Sequence, residues 1–124
     1  MPPTSWVDDP TIDDEAVLWR RINPADIIAD STTAAVRVST GAFHTTEMSV
    51  HIASETTIEI VLADHPGYRL AAFTAASARR AGCIVVRDPL PDDPSHALVC
   101  HIDHTRSLSK SQAKRIAGAS RLVV

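Results

Sequence analysis

Between Asp88 and His104 the chain reads DPLPDDPSHALVCHIDH. These 17 residues hold three of its six histidines, one of its two cysteines, four aspartates and three prolines. Imidazole, thiolate and carboxylate groups ligate metals and move protons near neutral pH, so the cluster invites a reading as a metal centre or a catalytic site. Spacing argues against both. The apolar run in HALVCHI predicts a strand, and neighbours on a strand face opposite sides. His96, Leu98 and Cys100 then share one face, and Ala97, Val99 and His101 the other. His96 and Cys100 stand about 13 Å apart along such a strand, whereas zinc–ligand bonds are only about 2.0–2.3 Å long. His101 and Asp103 share a face but need a third ligand, and no C-x-x-C, H-E-x-x-H or H-x-H pattern supplies one. Neither a metal nor a cofactor is expected. Cys100 and His101 point apart, which removes the thiol–imidazole pair that nucleophilic catalysis requires. His96 is the site-like residue of the segment, because it enters the strand directly from a proline-rigid loop. It serves either as a general acid or base at a rim or as a pin that bonds a backbone carbonyl of the loop.

A second constellation is built on arginine. WRRI (Trp19–Ile22) and RVSTGAFH (Arg37–His44) carry Arg21, Arg37 and Ser39 as candidate ligand-binding residues, since guanidinium forks suit phosphate or carboxylate. His96 joins them as a ligand-binding candidate, and His96 and Ser39 are each a candidate for catalysis. Alternation leaves only one of Arg20 and Arg21 on a given face and turns the other toward solvent or the acidic N-terminal segment. The competing reading pairs these arginines with nearby aspartates. Phosphate loops and dinucleotide fingerprints are absent from a chain with four glycines.

The elements that must position these groups follow from periodicity and punctuation. Strands are predicted at Ala16–Ile22, stopped by Asn23-Pro24, at Ala34–Thr40, over MSVHIAS, at Tyr68–Thr74, at Cys83–Arg87 and over HALVCHI. SETTIEIVLADHPG predicts a helix capped by Ser54, AASARRA a short helix capped by Thr74 and closed by Gly82, and KSQAKRIAGAS a helix capped by Ser109. Strand runs with helices inserted singly indicate an α+β fold. The expectation is one domain with a mixed, mostly antiparallel sheet and two or three short helices on one face. An acidic, proline-containing arm over residues 1–15, extended or mobile, precedes that domain at 16–124.

At 124 residues, 44% hydrophobic and 22% charged, the composition is that of a globular domain. Aromatics make up only 4%, so Ala, Val, Ile and Leu must build the core. No apolar run reaches a membrane span and the N-terminus lacks a signal-like pattern, which favours a cytoplasmic protein with Cys83 and Cys100 reduced and buried. The net charge of −3 is unevenly spread. Seven acids lie in residues 1–30, whereas residues 106–124 carry Arg106, Lys110, Lys114, Arg115 and Arg121 and no acid. Those basic residues suit phosphates, but no aromatics interleave them to stack bases, which argues against nucleic acid.

RRI (Arg20–Ile22), R-x-S-x-x-A-F from Arg37, MSV from Met48, PGY to Tyr68, A-x-x-A-R to Arg79, DP from Asp88 and P-x-H-A-x-V from Pro94 follow one another in order. The pattern resembles a family of small bacterial proteins for which no activity is established, over Trp19 to about Val99. The resemblance implies that Arg21, Ser39, Phe43, Met48, Ser49, Val50, Tyr68, Arg79 and His96 belong to one recurring design. Family members continue with a glycine and lysines where this chain has CHIDHTR. In order of elements alone the chain is also similar to ADP-ribosyltransferase-type toxins, with Asp92, Asp93 and Asp103 standing where a late glutamate belongs. The function expected from the sequence is a non-catalytic accessory or regulatory subunit that binds a partner protein through its acidic arm and basic last helix. The alternative is an enzyme or binding domain for a phosphate-bearing small molecule.

Overall fold

A computed structural model describes residues 6–33 and 35–124. Six strands, β1 (Val17–Ile22), β4 (Glu47–Ile52), β5 (Arg69–Thr74), β6 (Cys83–Arg87), β7 (His96–His101) and β8 (Arg121–Leu122), form one sheet in the order β6-β7-β4-β1-β5-β8. Two further strands, β2 (Ile27–Ala29) and β3 (Val36–Val38), pair as a separate ribbon. Three short helices, α1 (Ile58–Leu62), α2 (Ala75–Arg80) and α3 (Lys110–Ala119), complete an α+β domain. Every strand pairing among the described residues is antiparallel. The sheet therefore shows no parallel component of the kind a mixed sheet would contain.

The predicted boundaries hold where local chemistry is explicit. Thr74 Oγ accepts from the Ser77 N–H and caps α2, and Gly82 follows that helix at φ 87°, a backbone conformation that a side chain would strain. Ser109 and Gln112 cap α3 reciprocally. In the ambiguous SETTIEIVL segment, Ser54 falls in a 3-10 turn (Ala53–Glu55). Thr57 caps a helix of only five residues there, because the β-branched residues before it favour extended backbone. The predicted Ala34–Thr40 strand narrows to β3, its first residue lying outside the described residues, and Thr40–Phe43 forms a 3-10 turn. The strand at Ile27–Ala29 was not expected; it is three residues long and follows the 3-10 turn Pro24–Asp26 with no residue between.

The sheet is used on both faces. Leu18, Ile22, Met48, Val50, Phe73, Val85 and Val99 point to one side and pack with α2, α3 and Phe43 of the 3-10 turn into the main core. Phe43 meets the Phe73 ring edge-on at 6.1 Å, and these two rings supply much of the bulk in a core otherwise made of small aliphatic residues. On the reverse side Ile84, Val86, Leu98 and Cys100 form a smaller cluster under Trp6. α1 also lies on this reverse side, where the Arg21 guanidinium donates to the Val61 carbonyl at 3.1 Å. The helices are therefore divided between the two faces.

The acidic segment is part of the body. Its first five residues lie outside the described residues; the rest wraps around the β6 edge. Trp6 covers the reverse face and stacks on His104 at 4.3 Å. Asp9 N–H donates to the Val85 carbonyl, Val85 N–H donates to the Asp8 carboxylate, and Ile12 enters the main core at 2% exposure. Arg79 of α2 holds this wrap closed through Asp8, Asp14 and the Asp9 carbonyl. An edge strand so covered cannot pair with another chain. The boundary expected between an arm and a domain at residue 16 does not divide the packing. Ile12→Ala should accordingly cost about 2–5 kcal/mol in chemical denaturation. A loss near zero would show that this segment does not hold its place in the core.

Candidate functional site

The reverse face of the sheet carries polar side chains where it meets α1. In β1 the residues alternating with Leu18 and Ile22 include Arg21, and in β4 those alternating with Met48 and Val50 are Ser49 and His51. The register pairs His51 with His96 of β7 and Trp19 of β1 with His51. Arg21 and Ser49 both line the cleft on this face. α1 and the segment after it form the opposite wall. With the loop 88–95 they enclose a cleft of about 380 Å³ lined by Arg21, Ser49, His51, His96, Asp93 and Asp64, among others.

His96 is held from two sides. Its Nδ1 lies 2.9 Å from the Asp88 carbonyl oxygen and 3.2 Å from Asp88 Oδ2, both acceptors, so Nδ1 carries the proton. The unprotonated Nε2 then faces Ser49 Oγ at 3.1 Å, and the serine hydroxyl donates to it. His96 and Asp88 are 7% and 8% exposed, which shields this chain of contacts from water. The carbonyl-pinning contact expected of His96 is therefore present, and its second ring nitrogen accepts from the Ser49 hydroxyl.

His51 packs edge-on against His96, with ring centroids 5.7 Å apart. Its Nδ1 stands 2.8 Å from Asp93 Oδ2, yet the ring N–H is not aimed at that oxygen and makes no aligned hydrogen bond. The contact is one of charge and proximity. Burial lowers the His51 pKa; the Asp93 carboxylate opposes this, and Arg21 and His96 reinforce it. Burial in turn pushes Asp93 upward, but hydrogen bonds from Ser95 and the nearby imidazole outweigh it and hold the carboxyl below its ordinary value. His51 is thus a neutral imidazole beside an ionised carboxylate at pH 7.

Of the candidates drawn from sequence, Arg21 and His96 meet in this cleft and the other two lie elsewhere. Ser39 caps the 3-10 turn, its Oγ accepting from the Gly41 N–H. Arg37 is exposed on β3 and lines a larger groove of about 690 Å³ with Arg69, Lys114 and Arg121. That groove is roomier and strongly basic, but no histidine, cysteine or carboxylate is among the residues that line it, so the smaller cleft is the better candidate for acid–base chemistry. Arg20, expected to face solvent or acids, instead donates to the carbonyls of Ala42 and Ser49 from the core side.

Ser49, His51, Asp88 and Asp93 were not singled out as site residues. Ser49 and His51 were legible as the polar face of an alternating strand, but their convergence with His96 depends on register. The loop acids, expected to be solvated, include Asp88, which is buried, and Asp93, whose carboxylate ties down Ser95. His101 and Asp103 close a turn on each other, His101 Nδ1 accepting from the Asp103 N–H. No group of three His, Cys, Asp or Glu side chains among the described residues is arranged to hold a metal ion. Cys83 and Cys100 sit in separate clusters on opposite faces. Burial pushes their thiols up to about 11 and about 12, so neither is a ready nucleophile.

The unfolded chain binds a proton at His51 near its ordinary pKa of about 6.5, and the folded chain resists it. A depressed folded-state value gives stability that is present above that pH and lost as pH falls. Denaturation between pH 7.5 and 5.5 should show stability falling toward acid, with a shallower slope in His51→Gln. Identical slopes would remove His51 as the source.

Comparison with protein-family models, curated proteins and solved structures finds no match to this chain; what the cleft can do is argued from its own geometry.

Proposed function

We propose that the chain binds a phosphate-bearing small molecule in the cleft between β1, β4, β7 and α1 and acts on it by acid–base chemistry. One observation carries the reading: Arg21, Ser49, His51 and His96, from three different strands, line a single cleft. A volume of about 380 Å³ falls in the range of small-ligand sites. Arg21 offers a guanidinium for the anion, while its bond to Val61 anchors it to the far wall. His96, its tautomer set by Asp88, presents a basic nitrogen into the same space. Asp64 and Asp92 at the exposed rim suit hydroxyl or amino groups on the remainder of the ligand. The acids lining the cleft are Asp64, Asp92 and Asp93, with no glutamate among them; an ADP-ribosyltransferase-like reaction would have to use an aspartate in its place.

A partner-binding role has one feature in its favour. Lys110, Lys114 and Arg115 are exposed on α3, beside the basic groove. It gains less from the acidic segment, because Asp8 and Asp14 are engaged by Arg79 within the chain.

Thermal denaturation against a panel of nucleotides, sugar phosphates and orthophosphate tests the choice. A ligand at a hundredfold excess over its Kd stabilises the native state by about 2.7 kcal/mol, a readily measured rise in Tm. Arg21→Gln should abolish the rise relative to its own baseline, and Arg37→Gln should leave it intact. A panel without any shift would count against ligand binding and favour the partner-binding role.

A further inference from the structure

Resting on that reading, we propose that Ser49 is a nucleophile and that the substrate is a phosphodiester bound with its phosphorus beside Ser49. Three features of the geometry point there. Ser49 Oγ lies 3.1 Å from His96 Nε2, and on the other side of the ring Nδ1 donates to the Asp88 carbonyl at 2.9 Å with the Asp88 carboxylate 3.2 Å away. This is the nucleophile–base–orienter arrangement of serine-dependent catalysis, recognised by geometry and not by position in sequence. Ser49 is half-buried at the cleft wall, reachable by a ligand, while the base and the acid behind it are buried. Arg21 and Ser49 line the same cleft, so an anion held by the guanidinium shares that space with the hydroxyl.

Charge selects the diester. Arg21 is the single guanidinium or ammonium group lining the cleft, against the carboxylates of Asp64, Asp92 and Asp93. A phosphodiester brings one negative charge, which one guanidinium can balance; a monoester dianion or a triphosphate adds charge that the three aspartates repel. In the reaction the Ser49 hydroxyl oxygen attacks phosphorus as its proton passes to His96 Nε2. The bond from phosphorus to one ester oxygen breaks, and the departing alkoxide takes the proton from His96. Ser49 now carries the phosphate as a phosphoserine ester. Water, delivered with His96 as base, attacks phosphorus in turn; the bond to Ser49 Oγ breaks and the hydroxyl is restored. The Asp88 carbonyl fixes the His96 tautomer, and the Asp88 carboxylate acts through His96 as a positioning group that balances the imidazolium formed in each half-reaction.

An alkyl fluorophosphonate, a phosphorus electrophile that loses fluoride to an activated serine, is the probe. Incubated with the full chain and digested for mass spectrometry, it should leave one adduct, on Ser49. Ser49→Ala, a small change at a half-exposed position, should remove the adduct, and Ser54→Ala, at an exposed serine outside this cleft, should label like the parent. His96→Gln should slow labelling at least about a hundredfold. Asp88→Asn should slow labelling while leaving the rise in Tm with phosphates intact, a split that a loss of folding would not give. A parent protein unlabelled at Ser49, or labelled on another serine, while its Tm still rises with phosphates overturns the nucleophile and leaves the binding reading standing. A protein that neither labels nor shifts overturns both.

Discussion

The cleft exists because β4 and β7 pair in one register. His51 opposite His96, with Ser49 one step diagonal, places the hydroxyl of one strand within hydrogen-bonding reach of the imidazole of the other. A slip of one residue would send Ser49 and His51 into the main core and bring Met48 and Val50 out beneath α1. The apolar alternation of β4 forbids that slip, since Met48, Val50 and Ile52 all lie within the core cluster. Hydrophobic burial on one face of the sheet thereby fixes the polar geometry on the other, and the catalytic candidates inherit their precision from residues that take no part in chemistry.

Such a two-faced sheet must compensate the polar groups it buries. On the reverse face this is done locally. Asp88 N–H donates to the His96 carbonyl, Asp93 ties Ser95 and contacts His51, and Leu90 and Asp93 bridge the loop between them. The proline-rich loop is thus a rigid scaffold whose turn chemistry also presents two carboxylates to two imidazoles. On the far edge the compensation comes from a distance. Arg79 gathers Asp8, Asp14 and the Asp9 carbonyl, and Arg87 grips Glu55 with both terminal nitrogens. Both arginines are held above their ordinary pKa: Arg79 because its hydrogen bonds to Asp14 and Asp8 overcome the effect of burial, Arg87 chiefly because of its bonds to Glu55.

What could be read from sequence was what is local. The caps Thr74 and Ser109, the left-handed Gly82, the alternation of β4 and the split faces of β7 need only neighbours in the chain. The site needed more. Ser49 precedes His96 by 47 positions, and nothing in MSVHI says that this strand lies against HALVCH. Asp88 reads as a turn former and is one, yet its side chain is buried because the loop folds back over the strand entrance. Ser39 attracted notice for its place in a polar run after an arginine, and that run turned out to cap a short turn. The N-terminal acids were misjudged for a related reason: a run of aspartates resembles a solvated arm until the arginine that collects them, some 65 to 71 residues away, is known.

The adjacent arginines of β1 show how far one strand can divide labour. Pleating sends Arg20 to the core side and Arg21 to the cleft. Arg20 is half-buried, and the burial lowers its pKa, though a guanidinium so basic stays charged. Its nitrogens reach the carbonyls of Ala42 and Ser49. The second of these contacts joins core to site. The Ser49 carbonyl is held by Arg20 from one side of the sheet while the Ser49 hydroxyl meets His96 on the other, so the backbone that aims the nucleophile is clamped by a charge-assisted bond outside the cleft. The two arginines of RRI thus divide their contacts, one guanidinium bonding the Ser49 carbonyl from the core side and the next lining the cleft, where the proposed reading gives it the anion. Exchanging either for lysine would lose something different: fork geometry across two carbonyls for Arg20, and planar recognition of an oxyanion for Arg21.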